Sequence, residues 1–230
     1  MLPARKKKLQ LFAEQWNLEL KDLKVLNVAF IHPTYAFESK RSIESNQRLE
    51  FLGDAVLGLI VGEYLFHTFP HFPEGKLTKT RAALVCEHTL AEKAREIGMG
   101  NYLLLGKGEK SNGGSQRASI LADCFEAVIG AIYLECGINK AKDFIMETII
   151  KELDSVLVKT LDSKTLLQEH LQKKGQENVN YQLLDEDGPD HDKSFKIGVY
   201  YQNRLLADAW GKNKKEAEQK AAQLAMETMQ

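Results

Sequence analysis

Near residue 155 the texture of this chain changes, from helical repeats throughout to a stretch that adds strand-like alternation, so one type of layer cannot accommodate both parts. From about residue 5 to 152, the stretches LQLFAEQWNL, LEFLGDAVLGLIVGEYLFHTF, KLTKTRAALVCEHTLAEKAREIG, SILADCFEAVIGAIYLECG and AKDFIMETIIKELDSVL place apolar residues three to four apart. That spacing lines one face of a helix. Pro70, Pro73 and Gly75, then Gly98 and Gly100, the GKGEKSNGGSQ loop at 106–116, and Gly137 separate these runs. Beyond the change, TLLQEHLQKKG reads as a helix ending at Gly175. NVNYQLLDE, KSFKIGVYY and RLLADAWG then alternate with a period of two, with EDGPDHD and QN as turns. NKKEAEQKAAQLAMETM closes the chain as an Ala-rich helix with Asn213 at its N-cap. The pattern predicts a multidomain protein: an all-α domain over 1–155, a connection at 156–164, and an α+β domain (α-β-β-β-α) over 165–230.

Inside the helical part, NQRLEFLGDAVLGL (46–59) sets Glu50 and Asp54 four residues apart in an apolar run. On a helix they share a face, repel each other, and lose hydration wherever water is excluded. SILADCFEAVIGAIY repeats the arrangement with Asp123 and Glu126, three apart. Each pair alone reads equally well as the wet side of an amphipathic helix. Two such pairs converging would make a cluster of hard oxygen donors, which suits Mg²⁺ or Mn²⁺. A carboxylate-bridged di-iron bundle would need Glu-x-x-His on two helices. Neither acid pair provides it, since Glu126 is followed by Ile129.

The formal net charge of −1 gives no general attraction to nucleic acid or membrane, so any such partner must be met by a local patch. The loop at 106–116 is too rich in Gly, Ser and Lys for a core, and reads either as a disordered connection or as a surface that meets a polyanion. Residues 165–230 carry nine Lys and Arg against eleven Asp and Glu. Distribution matters more than this total: Lys212, Lys214 and Lys215 cluster at the start of the last helix. Free backbone N–H groups and the helix dipole add to the pull on phosphate there. A solvated helix start is the plainer alternative. Phe195, Trp210 and Leu224 read as core. Cys86, Cys124 and Cys136 lack metal or redox spacing and read as reduced thiols. No stretch approaches the ~20 apolar residues of a membrane span, so no membrane partner and a cytoplasmic location are expected.

These stretches together resemble the ribonuclease III family over nearly the whole chain. NQRLEFLGDAVL closely matches the family signature, with HPTYAFE (32–38), FPEGKLTKTRAALV (72–85) and ILADCFEAVIGAIYL (120–134) in the family's order. TLLQEHLQ, GPDHDKSF and NKKEAEQKAA resemble its double-stranded-RNA-binding domain. The resemblance implies that Glu50, Asp54, Asp123 and Glu126 are the catalytic carboxylates. They would hold Mg²⁺, with Mn²⁺ as a substitute, and Glu126 would be the most direct ligand. It implies that Phe51 plugs into the partner subunit of a homodimer, and that Gln47 and Glu74 line the valley in which the catalytic carboxylates lie. Gln47 stands where the family usually has Glu, leaving the valley one charge poorer. On the RNA-binding side it implies Thr165, Gln168, Glu169, Gln172 and His191 toward 2′-hydroxyls, and Lys212, Asn213, Lys214 and Lys215 toward phosphates. Taken alone, His191 reads as an ordinary turn residue. The implied activity is endonucleolytic cleavage of double-stranded RNA by metal-activated water, leaving 5′-phosphate and 3′-hydroxyl ends. Bacterial members use it to process ribosomal RNA precursors and messenger RNA.

Overall fold

The computed structural model describes residues 1–39, 42–153, 163–172, 179–189 and 193–229. The chain divides into two compact units, Met1–Val156 and Leu157–Gln230. The expected connection lies outside the described residues as far as residue 162.

The first unit is helical: α1 (Pro3–Gln15), α2 (Leu23–Ala29), α3 (Pro33–Glu38), α4 (Gln47–Thr68), α5 (Glu74–Leu84), α6 (Glu87–Glu96), α7 (Lys107–Ser111), α8 (Ala118–Cys136) and α9 (Ile138–Thr148), with short 3₁₀ turns between. Its axis is α8, whose Leu121, Cys124, Phe125, Val128, Ile129 and Ile132 are fully buried. A helix apolar almost all round belongs inside, and neighbours pack on every side. Against it lies α4, through Leu49, Val56, Leu57 and Ile60. Where the two helices cross, neither has a side chain. A Cβ on Gly53 would lie 1.8 Å from the Glu126 carbonyl oxygen, and one on Gly130 would lie 2.3 Å from that of Leu49. Main chain therefore touches main chain at this crossing.

Two sequence expectations change here. KLTKTRAALVCEHTLAEKAREIG, with unbroken helical spacing, forms two helices rather than one. Cys86 is extended (φ −73, ψ 155), and the Thr89 hydroxyl donates to the Ala83 carbonyl at 2.8 Å. That side-chain bond occupies the acceptor a continuing helix would offer to residue 87. The loop at 106–116 is tied down, which removes the reading of a disordered connection. Gly106 N–H donates to Thr34 Oγ1 (3.0 Å), and Lys107 N–H donates to both Glu38 carboxylate oxygens (3.0 and 2.9 Å). Within it, Glu109 pairs with Arg117 at 2.8 Å.

The second unit comprises α10 (Ser163–Gln172), β1 (Asn180–Asp187), β2 (Ser194–Tyr201), β3 (Arg204–Gly211) and α11 (Lys214–Glu227). Its sheet is antiparallel in the order β1-β2-β3. Gln202 and Asn203 turn the second hairpin with φ of 51° and 60°. Positive φ at both central residues gives the twist that suits two antiparallel strands. Leu167 and Leu171 of α10, Val199 and Ala209 of the sheet, and Ala221, Ala222 and Ala225 of α11 form the core. Small alanines let α11 lie close to the strands. Trp210 and Leu224 depart from expectation, with 40% and 43% of their surface exposed. Trp210 pairs with Lys196 between inward-facing Ala209 and Gly211, so register turns it to the outer face.

Candidate active site

Helix α4 starts at a fixed point. Asn46 is buried, its N–H donates to the Ile31 carbonyl (2.8 Å), and its own carbonyl accepts from Glu50 N–H (2.9 Å). One turn in, Glu50 is half-buried, and Asp54 lies one turn further at the surface. Across the Gly53–Gly130 contact, α8 supplies Asp123 and Glu126, both half-buried. The acids predicted from two separate helices thus meet in one field.

Burial and one another's charge shift their protonation. Burial pushes the Glu126 carboxyl up to about 8, and the charges of Asp54, Glu50 and Asp123 push in the same direction. Glu50 is raised by burial, then by Asp123 and Asp54. Burial also raises Asp123; nearby His32 opposes that rise, while Glu87 adds to it. Burial and mutual repulsion are what a bound divalent cation would relieve, and an all-carboxylate donor set fits a hard ion. The acids meet as charges rather than as a closed cage. Among the described residues, no group of three Asp, Glu, His or Cys side chains is drawn together as a ready metal site.

The other expected residues fall as follows. Gln47 is exposed at the first position of α4 and accepts from the Ser45 hydroxyl (3.2 Å). Glu74 is exposed at the start of α5, where its carboxylate accepts from the Thr78 hydroxyl (2.9 Å). Phe51 projects from α4 with 80% of its surface exposed, and Leu59 and Phe66 on the same helix are 65% and 66% exposed. Phe51 helps to line a hollow of about 900 Å³ in which Val25, Val28, Leu52 and Leu134 stand beside polar and charged residues, Gln47 and Arg48 among them.

In the second unit Lys212, Lys214 and Lys215 are exposed at the start of α11. The Asn213 carboxamide caps that helix by accepting from Glu216 N–H (2.9 Å), and Glu216 accepts in turn from Lys212 N–H (3.0 Å). Gln168 Oε1 accepts from Val179 N–H at 2.8 Å. Thr165, Glu169 and Gln172 lie in α10, but their side chains lie outside the described residues, as does His191 entirely.

Sequence reasoning missed His32, Glu87, Glu109 and Arg117. His32 precedes a proline that starts a helix, a capping signal that says nothing of Asp123. Glu109 and Arg117 flank Gly113 and Gly114, and only the fold of that loop pairs them.

The chain matches a ribonuclease-III-like family model over residues 22–153 and a double-stranded-RNA-binding motif over 163–229. It is 50% identical to ribonuclease 3 of Moorella thermoacetica across 96% of this chain and 95% of that one. To ribonuclease 3 of Enterococcus faecalis it is 46% identical, across 94% and 95%. Among solved structures it resembles the nuclease domain of ribonuclease III from Campylobacter jejuni, with a TM-score of 0.56 and 44% identity over 60% of this chain and 94% of that one. In that Campylobacter protein, a region involved in dimer formation is structurally flexible. No helix among the described residues is long and apolar enough to cross a membrane.

Proposed function

The chain belongs to the ribonuclease III family, as a double-strand-specific endoribonuclease with its own RNA-binding domain, and on that premise we propose that Glu50, Asp54, Asp123 and Glu126 are its catalytic, metal-holding acids. The observation that carries this reading is Glu126, held up to about 8 by burial and by three neighbouring acids from two helices. A protein that only gripped RNA would have no use for such a cluster.

When bound there, Mg²⁺ (or Mn²⁺ in its place) supplies water acidification and neutralises charge growing on the scissile phosphate. The protein's own residues supply placement. Contact of α4 with α8 fixes the separation of the acid pairs, and Glu126, which burial keeps protonated up to about 8, would have to give up that proton to hold an ion. Gln47 and Glu74 border the same valley as polar contacts for the substrate. Hydrolysis leaves a 5′-phosphate and a 3′-hydroxyl.

Two copies act together, one site for each strand, with Phe51 of each seated in the other's hollow beside α4. Reciprocal placement of one knob and one socket is what a two-fold interface requires. In the second domain Lys212, Lys214 and Lys215, with Asn213 fixing the helix start, meet phosphates. To Thr165, Gln168, Glu169, Gln172 and His191 this reading assigns contacts with the 2′-hydroxyls of the minor groove. Ribosomal RNA precursors and messenger RNA in the cytoplasm are the substrates this reading assigns.

The test is incubation with a long perfect RNA duplex, with and without Mg²⁺, beside a single-stranded control. Glu126→Gln should still retard the duplex in a gel with Ca²⁺ and fail to cut it with Mg²⁺. Near wild-type cutting by that variant would take Glu126 out of the chemistry.

A further inference from the structure

Across one end of the second unit's sheet, Glu186 of β1, Phe195 of β2 and Gly211 of β3 stand opposite one another in register. The row runs up to α11. A Cβ on Gly211 would collide with the backbone of Ala217, so the end of β3 lies directly against the first turn of that helix. Phe195 alternates with buried Ile197 and Val199, which puts its ring on the helix side of the sheet, where α11 begins. Two cations from separate stretches of the chain meet that ring. The Lys214 ammonium, from the first residue of α11, lies 5.6 Å from the ring centre, and the Lys193 ammonium, from the residue before β2, lies 6.0 Å from it. Lys193 is also held in an ion pair with the Glu186 carboxylate.

We propose that the Lys193–Glu186 pair is a clasp on the RNA-binding surface: duplex RNA opens it, Lys193 passes from the carboxylate to a backbone phosphate, and Glu186 is a built-in competitor that tempers the grip. The proposal rests on the reading of Lys214 as a phosphate contact. Because both lysines share one ring, a duplex that reaches Lys214 brings its closely spaced phosphates, about one charge every 2 Å of axis, to Lys193 as well. Relative strength decides which anion wins. The paired side chains keep 36% and 32% of their surface open to water, and an ion pair so exposed is a weak one. Phosphate has the further advantage that each contact frees a counterion condensed on the duplex. Glu186 remains a full competitor at neutral pH. The bond from Lys193 holds its carboxyl below the usual range against the opposing effect of burial, and the charges of Lys193 and Lys214 lower it further.

Duplex binding by the full-length protein would be followed in Ca²⁺ over a series of salt concentrations, with melting temperature alongside. Glu186→Gln removes the competitor and keeps the shape. It should tighten binding roughly two- to fivefold with an unchanged salt slope. The double variant, Lys193→Met with Glu186→Gln, removes the pair as a neutral unit. It should lower the slope of log affinity against log salt by about one and bind more weakly than Glu186→Gln alone. A double variant with wild-type affinity and slope would mean that the pair stays shut on RNA and would overturn the proposal. Glu186→Gln binding no tighter than wild type would overturn it as well. Both side chains reach the surface, so melting should stay at the wild-type value; should the double variant melt early, Glu186→Gln alone decides. Lys214→Ala serves as the reference. If it lowers the slope while the double variant does not, only the proposal fails. If Lys214→Ala leaves the slope unchanged, the reading of the helix start fails first and the proposal with it.

Discussion

A methyl group on Gly53 would sit 1.8 Å from the carbonyl oxygen of Glu126, so the first acid-bearing helix rests directly on the backbone of the second. Gly53→Ala must push α4 away from α8. Overpacking of this kind costs about 1–3 kcal/mol, and here it also separates the acid pairs. Cleavage should therefore fall further than the loss of folded protein accounts for. Calorimetry and cleavage assays on one preparation would decide; a drop in melting temperature with unaltered turnover would show that the crossing does not set the site.

The raised Glu126 pKa has a stability consequence of definite sign. Below its ordinary value of 4.5 the carboxyl is protonated in folded and unfolded chains alike. As pH climbs toward about 8, the unfolded chain gives up that proton while the folded one keeps it, so folding loses ground. In EDTA the nuclease domain should melt on the order of a few degrees lower near pH 8 than near pH 5. Glu126→Gln should flatten that slope. Parallel wild-type and variant curves would place the titrating group elsewhere.

Phe51 exposes 80% of its surface beside a hollow lined by both apolar and polar side chains. Phe51→Ala should weaken self-association, read as a shift toward monomer in sedimentation velocity over a dilution series. An unchanged distribution would count against the knob-and-socket interface.

Lys214 and Lys215 are exposed at the start of α11 and lie outside the second unit's core. Replacing both with Ala should weaken duplex binding and reduce the slope of log affinity against log salt by about one for each phosphate no longer neutralised. Melting of the variant should match wild type. Equal slopes would mean that these lysines do not touch the backbone of RNA.

The acid pairs were legible in the sequence because helical spacing alone puts Glu50 with Asp54 and Asp123 with Glu126 on common faces. Asn213 was legible for the same local reason, since a cap and its helix are neighbours in the chain. What the sequence hid depends on distant pieces meeting. Nothing local joins His32 to Asp123, and the break at Cys86 is decided by one Thr89 hydroxyl reaching back to Ala83. Trp210 misled because hydrophobicity says that a residue avoids water and strand register says which way it faces. On β3, register prevailed.

The bare crossing of α4 and α8 has one more consequence. Two main chains in contact cannot be squeezed closer, and the packed side chains above and below resist their parting. An ion held by these acids, as proposed above, would meet that spacing as a given. On the proposed reading, side-chain rotation alone would have to accommodate small Mg²⁺ or the larger, more permissive Ca²⁺ between backbones of set separation.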